Sequence, residues 1–258
     1  MNLTAISNAA WQYAGDSRGF TYALALQFVD RRYALRVAEA LMPTVPNGTE
    51  LDWNLHRSHA ETVELEIDPL WFLDHFSAIR LLAFGSHSNS GSYREAIHSY
   101  LEGKTANPVI EPTRRQGRPK YGFGANLEQH LGGGLRAFAR FGWCDPRFES
   151  FEVDRNFDLG VDISGSRWHR HYDKVGVAWL THTIAQDVRQ YLALGGVGLL
   201  LGDGRLRYGR EEILEAYYTM HVWRGLYSAF DIQQVTNPGY NRDRGPVWVM
   251  SLRIHLDV

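Results

Sequence analysis

Residues 213–233 read ILEAYYTMHVWRGLYSAFDIQ. Successive side chains of an extended strand point to opposite faces. Leu214, Ala216, Tyr218, Met220 and Val222 therefore share one side, and Glu215, Tyr217, Thr219 and His221 the other. After Trp223-Arg224-Gly225 the period resumes, with Leu226, Phe230 and Ile232 opposite Tyr227, Asp231 and Gln233. This pattern predicts a β-hairpin with one apolar and one polar side. A half-buried sheet in a soluble protein and the wall of a membrane barrel both produce it, so the class rests on what the other strands do.

Working outward, the same alternation recurs along most of the chain. Phe20, Tyr22, Leu24, Leu26 and Phe28 form a strong strand signal, preceded by Trp11–Tyr13 and a turn at 16–19. Across the tight 30–32 turn, Tyr33, Leu35 and Val37 oppose Arg36. Val63, Leu65 and Ile67 oppose Glu64 and Glu66, and a strand around Ile79–Phe84 carries Arg80. Tyr121, Phe123, Ala125 and Leu127 oppose Asn126 and Glu128. Leu135, Ala137, Ala139, Phe141 and Trp143 oppose Arg136, Phe138 and Arg140. Phe157, Leu159, Val161 and Ile163 oppose Asp158 and Asp162, and Val175, Val177 and Trp179 mark another strand. The chain closes on Trp248, Met250, Leu252, Ile254, Leu256 and Val258. The Pro- and Gly-containing stretch 42–59 reads as a long loop. Residues 86–119 break the rhythm as a long ordered loop, with a short helix in YREAIHSYLEG.

Composition narrows the classes. A net charge of -2 gives no electrostatic case for a nucleic-acid partner. One cysteine, Cys144, excludes an internal disulfide and a multi-thiolate metal site. No apolar run reaches the length of a membrane helix, but membrane β-strands are short and only half apolar. MNLTAISNAAWQYAG lacks the basic and apolar regions of a signal peptide, so none is expected within this chain.

Three features favour lipid outside the sheet. Aromatic residues sit near strand ends on the apolar side (Tyr33, Tyr121, Trp143, Trp179, Trp248), as in interfacial girdles. Tight turns (30–32, 132–134, 223–225) alternate with long connections (42–59, 86–119, 236–245). The last strand runs to the terminal residue. The expectation is an all-β, transmembrane, antiparallel up-and-down barrel forming a single domain over 1–258, its polar faces lining a water-filled lumen.

YGFGANLEQHL, GLRAFARFGWCD, GVDISGSRW, GDGRLRYGREEILEAYY and NPGYNRDRGPVWVMSLRIH resemble the C-terminal part of the carbohydrate-selective porins of the OprB type. AWQYAGDSRGFTYALALQF with YALRVAEALMP is similar to an earlier hairpin of that family. The resemblance implies a sixteen-stranded outer-membrane barrel that passes sugars by diffusion, without cofactor. Mono- or oligosaccharides and outer-membrane lipid would be its partners, and a homo-oligomer its possible assembly. Roughly a dozen strands can be counted here, so the chain reads as an N-terminally truncated member. Its terminal Val258 departs from the aromatic residue with which many outer-membrane barrels end.

In such a lumen Arg36, Arg80, Arg136 and Arg140 would donate to sugar hydroxyls, and Glu64, Glu66, Glu128, Asp158, Asp162, Glu215 and Asp231 would accept or line the wall. Phe138, Tyr217 and Tyr227 offer faces for stacking, and Arg136 and Arg140 are the expected constriction pair. Many of these charges could equally serve only to cross-link the wall. Mixed signs keep the lumen from acting as an ion filter. His169 and His171 are a formal metal pair, but without a third ligand they read as an exposed turn, and no metal or enzyme is expected. GDGRL at 202–206 lacks the Lys-Ser/Thr and the helix of a phosphate loop. Scattered carboxylate pairs could suggest a glycosidase, yet they recur along strands with no nucleophile–base arrangement. Two alternatives use the same residues: a soluble carbohydrate-binding β-sandwich or barrel with its apolar faces turned inward, and a non-functional truncated porin remnant.

Overall fold

The alternation becomes one continuous sheet. The computed structural model describes residues 10, 20–68, 77–149, 152–198, 201–202 and 204–257. Its strands are β1 (Ala23–Val29), β2 (Tyr33–Pro43), β3 (Leu51–Asp52), β4 (His59–Ile67), β5 (Ser77–Ser90), β6 (Arg115–Gly132), β7 (Leu135–Cys144), β8 (Val153–Ser164), β9 (Lys174–Ile184), β10 (Glu211–Trp223), β11 (Leu226–Thr236) and β12 (Val247–Leu256). Every neighbour in the order β1-β2-β4-β5-β6-β7-β8-β9-β10-β11-β12 is antiparallel, and the two-residue β3 pairs with β2. No described helix is long and apolar enough to cross a membrane, which leaves strand crossing untouched.

The sheet is inside out relative to a soluble one. Leu214, Met220, Val222, Phe230, Leu252 and Ile254 are exposed, Ile254 to 70%, while Glu215 and Asp158 on the opposite face are 0% exposed. A soluble sandwich would cover the first set and solvate the second. The soluble alternative is therefore not the arrangement found, because no second sheet covers the apolar side among the described residues. Aromatic rings collect on that side toward the strand ends: Phe28 against Tyr33, with centroids 5.9 Å apart, near the 30–32 turn, and Tyr121 against Trp143 at 5.8 Å at the opposite end.

The tightest turns and the longest connections fall at opposite ends, although 68–76 and 165–173 at the tight-turn end are nine residues each and 145–152 at the other end is eight. Residues 30–32, 133–134 and 224–225 are tight turns; 44–58, 91–114, 185–210 and 237–246 are long and share the other end. The stretch 86–119 is narrower than its composition suggests. β5 continues to Ser90 and β6 begins at Arg115, leaving 91–114 as the connection. Beyond the lipid zone the outer face no longer has to be apolar, so SHSNS and RQGRPK stay paired without the alternating signature.

The long-loop end has its own core. Helix α1 (Tyr93–Leu101) is capped by Ser92, whose Oγ accepts from the Glu95 N–H at 3.3 Å. Helix α2 (Gln186–Ala193) packs beside it, with Tyr93 edge-on to Tyr191 at 5.2 Å, and Ile97, Ile110, Ile184, Val188 and Tyr240 fill the space around them. The Tyr191 hydroxyl donates to the Val197 carbonyl at 3.0 Å, and burial pushes its pKa up to about 12. Trp11–Tyr13 and the 16–19 turn lie outside the described residues.

Candidate functional site

The inner face carries a chain of alternating charges that runs from strand to strand. Arg36 on β2 donates from Nη1 to Glu64 at 2.6 Å and to Glu66 at 2.8 Å, both on β4. Glu66 also accepts from Arg80 Nε on β5 at 3.1 Å, and Arg80 Nη1 reaches Glu128 on β6 at 2.9 Å. The second oxygen of Glu128 accepts from Arg136 on β7 at 3.3 Å, and Arg136 Nη2 meets Asp162 on β8 at 2.5 Å. Lys174, the first residue of β9, lies 3.5 Å from the other oxygen of Asp162. Glu66, Glu128 and Asp162 each bridge two cations, so the ladder alternates sign across seven strands.

Strand geometry places it there. Arg36 is directly opposite Glu64, Glu66 opposite Arg80, and Arg136 opposite Asp162 in the ladder register. Side chains opposite each other on one face are in reach, so the register itself selects the pairs. Most members are partly open, from 17% exposure at Glu128 to 44% at Lys174, with Asp162 covered at 3%. Isolated ion pairs of that exposure contribute about 0–1 kcal/mol each. The ladder therefore fixes donors and acceptors in position more than it stabilises the wall.

Nearer the long loops lies a second group. The Arg140 guanidinium sits 5.1 Å from the Phe138 ring centroid. That ring lies against Gly160, directly opposite on β8, where an added Cβ would come within 2.5 Å of it. Tyr217 does the same over Gly176 on β9. The rings thus lie flat along the wall in space that glycine leaves open, and Phe138 is only 7% exposed. Asp158 accepts from Asn156 Nδ2 at 3.2 Å, with His182 Nε2 3.8 Å from its other oxygen. Farther round, Gln233 donates to buried Glu215 at 3.1 Å, with Asp231 on the same face of the adjacent strand. Tyr227 stands in an aromatic row with His221 at 5.0 Å and His255 at 6.4 Å.

The ladder thus unites Arg36, Glu64, Glu66, Arg80, Glu128, Arg136 and Asp162 from the predicted set. Arg140, Phe138 and Asp158 form the second group, and Glu215, Tyr217, Asp231 and Tyr227 occupy the wall beyond it. Arg136 and Arg140 share the inner face but do different things, one joining the ladder and the other covering a ring. The alternation puts Asn156 and Gln233 on polar faces without marking them as site residues, and Lys174 and His182 are absent from the expected set. Lys174 and His182 were detectable, since they share a strand side opposite to Val175, Val177 and Trp179. His169 and His171 lie in an exposed turn following a short 3₁₀ helix, with His169 in the left-handed region at φ 62°.

At that turn Asp173 accepts from the Arg170 guanidinium, the Tyr218 hydroxyl and the His221 amide, the last at 2.9 Å. Burial pushes its pKa up, but these three donors outweigh it and bring it down to about 2.

A sheet with an apolar outer face, a charged inner face and its longest loops at one end has the architecture of a transmembrane β-barrel wall. The family model for "Carbohydrate-selective porin, OprB family" matches residues 2–257, and the chain belongs to that family, which is a porin family and not an enzyme family. The solved structure of Pseudomonas putida OprB at high pH is similar to this chain with a TM-score of 0.74 and 18% sequence identity. The match covers 92% of this chain and 58% of that one, so the chain spans well under two thirds of that relative's length. No curated protein matches the sequence.

Proposed function

We propose that this chain forms the greater part of an outer-membrane channel wall through which carbohydrates diffuse passively. The observation that carries this reading is the alternating ladder from Arg36 to Lys174 on the inner face, set behind an apolar outer face. A neutral sugar moving along such a wall exchanges water for donors on Arg36, Arg80 and Arg136 and acceptors on Glu64, Glu66, Glu128 and Asp162. Each hydroxyl meets both polarities within one strand spacing, about 4.8 Å. Because the signs alternate, the wall presents no single-sign ring to select ions. Arg140, Phe138, Asp158, Tyr217 and Tyr227 extend the polar path, and lipid is the partner of the outer face.

Closure of this barrel has a parity requirement. Among the described residues the meander from β1 to β12 has eleven strands in order, so its two edges run in the same direction. Antiparallel closure takes an odd number of further strands, consistent with the sixteen that the family resemblance implies. The wide exposure of both faces of β1 and β12 fits edges that await neighbours.

The test is sugar permeation in proteoliposomes. Swelling in isotonic glucose or maltose faster than in protein-free vesicles, and reduced by Glu128→Gln with Arg136→Gln, supports the reading. Swelling at the protein-free rate with correctly inserted protein contradicts it.

A further inference from the structure

The outer face changes character where the apolar band ends. Along β4, Ile67, Leu65 and Val63 face outward, and the same side continues into Glu61 and His59 at the long-loop end. His87 of β5 is directly opposite His59, and Glu39 of β2 is directly opposite Glu61. One ligating atom from each of His59, Glu61 and His87 lies within 4.8 Å of the others. The two imidazoles are 4.9 Å apart between centroids, and His59 Nε2 is 3.0 Å from Glu61.

Two features of this patch are unfavourable as they stand. The Nδ1 atoms of both His59 and His87 are buried without a hydrogen-bond partner, and a buried polar atom left unsatisfied costs about 1–3 kcal/mol. Glu39 and Glu61 place like charges directly opposite each other, which destabilises a strand pair. A cation coordinated through Nδ1 would take the lone pair of that atom, and its charge would offset the carboxylates.

We propose that His59, Glu61 and His87 form a binding site for a divalent transition-metal ion of the zinc type, on the outer rim at the long-loop end. Two imidazoles with one carboxylate suit zinc, copper or nickel better than calcium or magnesium, which prefer all-oxygen shells. A tetrahedral zinc shell sets ligands about 3.4 Å apart, so rotation of the side chains closes the 4.8 Å cluster onto an ion. The ion would clip β4 to β5 where the 44–58 connection enters the sheet, with Glu39 adding negative charge from β2. The site faces away from the sugar path and does not depend on it.

The experiment is a titration of chelator-stripped protein, folded in detergent, with Zn²⁺ by calorimetry and with Co²⁺ by visible absorption. One ion per chain is expected, with Co²⁺ absorption of a low-coordinate site that Zn²⁺ abolishes. His59→Asn and His87→Asn should each weaken binding at least about 100-fold, since loss of even an indirect ligand partner costs about 10–100-fold. Glu61→Gln should weaken it by about 10-fold or more, and His56→Asn, in the neighbouring loop, should leave it unchanged. Saturable binding that survives the His59→Asn/His87→Asn double variant, or no saturable binding by the parent, overturns the proposal. If those variants fail to fold, X-ray absorption of the zinc-loaded parent decides: two imidazole nitrogens in the shell support the site, and an oxygen-only shell overturns it.

Discussion

Leu159 and Gly160 are neighbours in sequence and opposite in every physical respect. Leu159 is 41% exposed on a face it shares with Phe157 and Val161, whereas Gly160 lies under the Phe138 ring beside the charged ladder. On the proposed reading the outer face tolerates apolar side chains with no protein neighbour because hydrocarbon is its solvent. The inner face holds Asp158 and Glu215 at 0% exposure with a donor beside each, Asn156 two residues away on the same strand for Asp158 and Gln233 on the next strand for Glu215. One residue step therefore changes which substitution the wall can absorb.

The largest effect should come from reversing the outer face. Leu159→Arg is expected to lose about 2–4 kcal/mol, the midplane penalty for a charge facing lipid. Urea unfolding in lipid vesicles checks it, and a loss under half a kilocalorie would mean that Leu159 does not face hydrocarbon. Next comes overpacking of the inner face. Gly160→Val places carbon 2.5 Å from Phe138 and 3.0 Å from the Val177 carbonyl, and should cost roughly 1–3 kcal/mol in the same assay. Restoring space with Phe138→Ala in that background should recover part of the loss. A double variant no more stable than Gly160→Val would show that the ring is not the obstacle.

Glu128→Gln separates function from stability. It removes the bridge between Arg80 and Arg136, and the loss of such partly exposed pairs should change stability by about 1 kcal/mol or less. Sugar flux in vesicles should shift, with conductance for small ions changing toward anions because Arg80 and Arg136 each lose one of their two counter-charges. Unchanged flux and ion preference would make the ladder a structural brace only.

The effect confined to one pH window lies at the short-turn end. The folded pKa of Asp173, about 2, is below its ordinary 3.8, so the stability it contributes is present above pH 3.8 and fades as pH falls toward 2. Asp173→Asn should lower the thermal midpoint at neutral pH, and the gap from the parent should close across that acid window. A gap that stays constant down to pH 2 would remove Asp173 as its source.

Much of this was legible in the sequence because a lipid-facing strand must alternate for its whole membrane depth. The outward sets of β6, β7, β8, β10 and, as far as Leu256 where the strand ends, β12 match the alternation, and the charged residues between them lie on the opposite face. Val258 lies outside the described residues. What alternation cannot report is pairing, since Glu128 could have met any cation on a neighbouring strand. Register decided that it bridges Arg80 and Arg136. The strand tips beyond the membrane were invisible because their outer face is as polar as their inner one. That is why β5 and β6 extend into the stretch read as a loop. Helix α2, in a Gly-rich connection, was missed for want of a clear start signal, as Ala185 makes no side-chain cap. The His59–His87 pair was hidden because its members are far apart in sequence and meet only through register.

The central claim, lipid on one face and water on the other, is tested most directly by a fluorescent-label scan of β8. With Cys144 replaced by Ala, single cysteines at Asn156, Phe157, Asp158, Leu159, Val161 and Asp162 would each carry an environment-sensitive dye in vesicles. Lipid-borne nitroxide should quench the dye at Phe157, Leu159 and Val161, and aqueous iodide should quench it at Asn156, Asp158 and Asp162. Uniform quenching along the strand, or the reverse alternation, would contradict the account.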